Sequence, residues 1–221
     1  MRYLFIPSVL FVTACSQTPT PSAPAAAVNQ AAPAVVQINL ADEAYLQQLQ
    51  QVQRQPDVAG MKELRRLFVK TTGYGRAQML DQNITPSIFQ AMDQQQWADC
   101  QQKAQTLLKA NAISLNGHFA AMVCAEKTSD ATLAARHKQQ LDLLMEAIWA
   151  TGDGKSAQTA FFCTGTAELY AFIRLHGLQA TGQALLQEGD KAYDKMTVLD
   201  PDSKNTLTWY FDVTSQMAAG Y

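Results

Sequence analysis

This chain is short of nearly everything that would give it away. No dense block of lysine or arginine occurs. In 221 residues, 17 basic side chains against 19 acidic ones give a net charge of −2, which offers nothing to a nucleic acid backbone. Beyond the amino-terminal leader there is no second long apolar run, so no membrane-spanning helix is expected. HExxH, CxxC and GxSxG are all missing, which argues against the common hydrolase and thiol redox classes. Gly154-Lys155-Ser156 looks like the end of a phosphate-binding loop, but Trp149 stands where the first glycine is required, and a helix precedes where a strand should. The dinucleotide fingerprint also fails for want of the right context, and Asp153 lacks the carboxylate series of a calcium loop. No cofactor is called for. Cysteine is scarce, at 4 residues.

What is present begins with an address. Arg2 precedes an apolar stretch from Tyr3 to Val12, and the sequence then reads Val12-Thr13-Ala14-Cys15. A positive start, a short apolar run and small residues form a secretory signal, too short to span a bilayer. The last four residues resemble the bacterial lipobox. That resemblance implies a signal peptide over residues 1–14 and a Cys15 that carries lipid, palmitate included, after cleavage. The alternative is an ordinary signal peptide with an incidental cysteine. In such lipoproteins an Asp after the cysteine marks inner-membrane retention. Ser16 therefore implies the outer membrane, with the protein facing the periplasm. Residues 15–39 follow as a tether in which Pro19, Pro21, Pro24 and Pro33 sit among small and polar residues. Such a segment cannot bury enough apolar surface to order itself. The lipid on Cys15 is the expected contact with the membrane.

Residues 40–151 read as a helical layer. Tyr45, Leu49 and Val52 fall at helical spacing over Asp42–Gln55, and Leu64, Leu67 and Phe68 do so over Met61–Lys70. Gly73-Tyr74-Gly75 is read as a break, and residues 76–83 show no clear pattern. Thr85 is expected to cap a helix that starts at Pro86 and ends near Gln94. Helices over Trp97–Ala110 and Leu115–Lys127 follow, then one capped by Ser129 that runs to Ala150 and ends at Gly152. Residues 86–150 thus read as two helical hairpins in series, tetratricopeptide-like in part, without that repeat's full pattern.

From Gly152-Asp153-Gly154 onward the pattern changes to short strands. Residues 152–214 form the β-rich half of the same domain, with strands expected at Thr159–Gly165, Gln179–Gln187, Lys191–Leu199 and Thr206–Val213. Residues 166–176 fit either a strand or a short helix. Gly177 followed by Leu178 resembles a Schellman helix end and tips the balance to helix. Residues 215–221 are taken as a frayed tail. The expected fold is α+β: helical hairpins packed with a small, mostly antiparallel sheet.

Few residues suggest chemistry. Cys100 and Cys124 lie symmetrically about the break near residue 112, which sets them opposite each other in an antiparallel hairpin. A face of Gly117, Ala120, Ala121 and Cys124 lets the helices approach. A Cys100–Cys124 disulfide is expected there, with two buried thiols as the alternative. Cys163 would then be a lone strand cysteine. His118 and His137 lie opposite each other across the break near residue 128. They could bind a transition metal or hydrogen-bond a carboxylate such as Asp153 or Glu168, though no third ligand stands at recognisable spacing. A satisfied pair of core histidines is the alternative, and no metal site is assigned.

Several short motifs are shared with a known family. They are Leu64-Arg65 ahead of Tyr74, His118 and His137 in the hairpin, and Gly152-Asp153-Gly154. Further on come Ala160-Phe161, Glu168-Leu169-Tyr170, Gln183, Tyr193-Asp194 and Tyr210-Phe211-Asp212. Over residues 64–213 the chain resembles an uncharacterised domain-of-unknown-function family of secreted bacterial proteins. It departs from that family where Leu169 replaces a second acid and where no Pro-Tyr follows Tyr74. The resemblance implies an architecture and no activity. The expected function is a non-enzymatic, periplasm-facing module that binds a protein or envelope partner. The alternative is an enzyme with a site around His118, His137, Asp153 and Glu168.

Overall fold

A computed structural model describes residues 39–220. The leader, Cys15 and the tether up to residue 38 lie outside the described residues. Among the described residues, eight α-helices and a four-stranded sheet make an α+β fold. No described helix is long and apolar enough to cross a membrane.

Local capping sets the helix starts. In α1 (Leu40–Arg54) the Asn39 side chain accepts from the amides of Ala41 and Asp42. In α2 (Val58–Phe68) the Asp57 carboxylate accepts from Gly60 N–H at 2.6 Å. This cap starts α2 ahead of the expected Met61. The helices α4 (Trp97–Ala110) and α5 (Leu115–Lys127) keep the boundaries read from the sequence. In α6 (Ala131–Trp149) the cap is Asp130, not Ser129. The Asp130 carboxylate accepts from Leu133 N–H, while Ser129 takes a left-handed φ of 62° in the link.

The largest correction concerns α3 (Tyr74–Asp93), one continuous helix of 20 residues with Pro86 inside it. Neither Gly75 nor Pro86 breaks it. Thr85 is no cap, because its hydroxyl donates to the Asp81 carboxylate one turn back. Proline in a helix removes one backbone bond and crowds the preceding turn. Here that cost is offset by burial of Tyr74, Ala77, Ile88 and Ala91 along the helix.

The sheet runs β1-β4-β3-β2. Strand β1 (Phe161–Phe162) is parallel to β4 (Thr206–Asp212), whereas β2 (Gln179–Glu188), β3 (Lys191–Leu199) and β4 pair antiparallel. Strand β1 is much shorter than the expected Thr159–Gly165. Ala157–Thr159 form a 3₁₀ turn, and Thr164 turns away from the sheet to bond Glu168. Residues 166–175 are the helix α7 (Thr166–Leu175). It ends in a Schellman motif, with Gly177 N–H bonded to Arg174 C=O and Leu178 N–H to Ile173 C=O. The expected frayed tail is instead a short helix, α8 (Thr214–Ala218), tied back by Gln216 to Thr166.

One apolar cluster joins helices to sheet. Leu64, Leu144 and Ile148 meet Phe161, Phe172, Met196 and Phe211, all essentially free of solvent. Burying each such side chain contributes about 1.5–3 kcal/mol. A second cluster lies between α3, α4 and α5, around Cys100, Ala104, Leu107, Ala120 and Cys124. The turn at Gly154 feeds the first cluster. Its φ is 67°, and an added Cβ would meet the Phe161 ring, 2.8 Å from Cδ2. Glycine is needed there for its conformation and for the approach of the ring.

Candidate functional site

Cys100 and Cys124 form a disulfide between α4 and α5, with Cα atoms 6.3 Å apart. Cys163 is a free, buried thiol. Burial, then the nearby Glu168, push its pKa well above the usual thiol value, which favours the protonated thiol.

The four residues read as one polar site do not assemble. His118 and His137 do meet, Nδ1 to Nδ1 at 3.0 Å. His118 Nε2 lies 3.0 Å from Ala112 C=O. A carbonyl only accepts, so His118 Nε2 carries the proton and its Nδ1 accepts from His137 Nδ1–H. His137 Nε2 keeps the remaining lone pair. Burial pushes the His118 pKa down to about 4, and burial followed by Arg136 lowers that of His137. The pair borders a cavity of about 180 Å³ lined also by Arg136 and Gln140. Three of the four ring nitrogens are bonded within the fold, and the Tyr45 hydroxyl lies nearby against the Ala112 backbone.

Glu168 belongs to a different network, together with Arg65, a residue the sequence reading had named only in a family motif. Arg65 Nε and Nη2 donate to the two Glu168 oxygens, each at 2.9 Å, and Nη2 also donates to Phe162 C=O at 2.7 Å. Arg65 has no solvent exposure, and its Nη1 has no hydrogen-bond partner among the described residues. Thr164 donates to Glu168 from its amide and its hydroxyl. Thr164 C=O in turn accepts from Tyr74 Oη and Gln78 Nε2. Burial alone would raise the Glu168 pKa, but Arg65 and Thr164 overcome it and hold the carboxyl below its usual range. The ion pair is a clamp between α2 and α7, and the Thr164 carbonyl ties α3 to it.

Asp153 is on the surface. Its carboxylate accepts from Thr159 Oγ1 at 2.6 Å and Lys155 N–H at 3.0 Å, which holds the Gly152–Gly154 turn. Those bonds lower its pKa. Among the described residues no group of three or more His, Cys, Asp or Glu side chains could hold a metal ion.

A larger concavity lies elsewhere among the described residues. A groove of about 670 Å³ runs between α3, α7 and the start of β2. Phe89, Pro86, Ala167, Tyr170, Ile173 and Leu178 make its wall mostly apolar. This size and lining are those of a ligand site.

A polar frame stands behind the groove. The buried Asp81 accepts from Thr85 Oγ1, Asn116 Nδ2 and Asn111 Nδ2 at 3.0–3.2 Å. Asn116, so oriented, accepts from Arg174 Nη2 at 3.0 Å. The Arg174 guanidinium lies 4.7 Å from the Phe89 ring centroid and 5.1 Å from that of Phe119. It makes no ion pair among the described residues.

Sequence reading missed Asp81, Asn116 and Arg174. The one signal was an arginine within the apolar run Leu169–Leu175.

No curated protein and no solved structure matches the chain. A family model described as a domain of unknown function, DUF4919, matches residues 38–219. That span covers most of the sequence, and the chain therefore belongs to the DUF4919 family.

Proposed function

We propose that the protein is a lipid-anchored, periplasm-facing binding module of the bacterial outer membrane. Its lipid sits on Cys15, and its recognition surface is the groove between α3, α7 and β2. The observation that carries the reading is that none of His118, His137, Asp153 and Glu168 lines the apolar groove. Glu168 is consumed by Arg65, Asp153 by its own turn, and His118 and His137 by each other. The groove, in contrast, is apolar, oriented by a polar frame and flanked by an exposed strand. The Pro-rich tether would hold that surface away from the bilayer.

The test is cross-linking of the full chain in cells, followed by affinity purification, with Cys15→Ser as the comparison. The reading expects a dominant protein adduct from the anchored form that weakens when the anchor is lost. An adduct profile no different from background would overturn it.

A further inference from the structure

The strand at the rim of the groove is unusual for an edge. Strand β2 is paired on one side only, by β3. Nearly all of its residues are exposed, among them Leu185 at 54 %. Edge strands are normally guarded by lysine, proline, bulges or short length. Over its 10 residues β2 has no lysine and no proline, and it carries no charge before Glu188. A bulge interrupts the ladder between Ala180 and Gly182, and regular pairing continues from Gln183 to Glu188. The groove is lined by Gln179 and Ala180 at the start of the strand, and Tyr170 on its wall donates to Gln183 Oε1 in the regular part at 2.7 Å.

Resting on the binding reading above, we propose that the groove and the β2 edge together take an extended segment of a partner polypeptide. The segment adds as a strand to β2 and carries a carboxylate, on a side chain or at its own C-terminus, that pairs with Arg174.

Three features select a peptide with this chemistry. The outer N–H and C=O groups of β2 have no strand partner among the described residues and match a peptide backbone. A strand set beside β2 presents alternate side chains to one face of the sheet, the face on which Tyr170 of the groove wall reaches Gln183. Arg174 supplies a cation held by a neutral amide and two rings, with its charge uncompensated among the described residues. An acyl chain would use the apolar wall and Arg174 and leave the strand edge unanswered. The groove also stays open along one side, where an acyl chain would keep a flank in water.

The experiment is panning of a phage-displayed random-peptide library against the full chain purified in mild detergent, followed by affinity measurement with the enriched peptides. Enriched sequences are expected to share an acidic residue or a required free C-terminus beside apolar residues. Arg174→Gln is expected to weaken them roughly tenfold or more, with partial rescue by Arg174→Lys. N-methylation of alternate peptide residues, which leaves the protein untouched, is expected to abolish binding in one register and spare it in the other.

Absence of enrichment would overturn the proposal, as would peptides that bind Arg174→Gln equally or tolerate N-methylation in both registers. So would a dansyl-labelled fatty acid that competes with no peptide but loses affinity in Arg174→Gln. A cellular adduct that survives Arg174→Gln and blockage of the β2 edge would leave the binding reading standing and sink this one. No adduct from the anchored chain would sink the binding reading itself.

Discussion

Arg65 can sit in the core without solvent only while Glu168 carries the compensating charge. Glu168→Gln leaves a buried guanidinium unpaired, and a loss of about 3–5 kcal/mol in unfolding free energy is expected by denaturant titration. A loss below about 1 kcal/mol would show that the clamp contributes little. The histidines add a pH dependence of definite sign. In the unfolded chain His118 protonates near 6.5; in the folded chain burial delays this to about 4. Between those values the unfolded chain binds the extra proton, so stability falls as pH drops through that window. The slope approaches ~1.4 kcal/mol per pH unit, and on the order of 3 kcal/mol is lost across it. Glu168 acts in the same direction at lower pH. Its folded pKa is depressed, so its contribution is present above the usual carboxylate range and disappears as pH falls through the depressed value. Denaturant midpoints at a series of pH values check this, and a flat profile from pH ~7 to ~4 would contradict it.

Among the secondary-structure elements, the disulfide and the Gly154 turn make separable predictions. The Cys100–Cys124 bridge closes a separation of 24 residues. Its loss in Cys100→Ala/Cys124→Ala is expected to cost ~3 kcal/mol, read by thermal or chemical unfolding against the oxidised parent. Gly154→Ala is expected to destabilise by at least about 1 kcal/mol, because a left-handed backbone and the Phe161 ring both resist a Cβ. These elements also show what was legible in the sequence. Helices α4, α5 and α6 carry apolar stripes and local stops, and their residues announce them. In α3 the local signals at Gly75 and Pro86 pointed to breaks. Tertiary packing overrode them, from buried Tyr74 to Ala91 along one helix. Strand β1 was read too long because the bond between Thr164 and Glu168 that ends it is a side-chain choice. The groove was not legible at all. Asp81, Asn116 and Arg174 lie in three separate helices, and no spacing rule links them. The same holds for Arg65 and Glu168, 103 residues apart.

For the whole molecule, the arrangement separates what holds the fold from what could meet a partner. Arg65, His118, Cys163 and Glu168 are buried in the fold, and the open apolar groove sits beside an exposed strand edge. That the protein is a tethered module capturing a partner through this surface is the reading proposed above and the central claim. The most direct measurement is a photo-cross-linking scan of the anchored protein in cells. A photoreactive residue would be placed at Tyr170 and Leu185 around the groove, and at Lys138 on the exposed face of α6 as a control. The account predicts one shared protein adduct from Tyr170 and Leu185, absent from Lys138. Adducts of equal yield from all three positions, or an adduct from Lys138 alone, would contradict it.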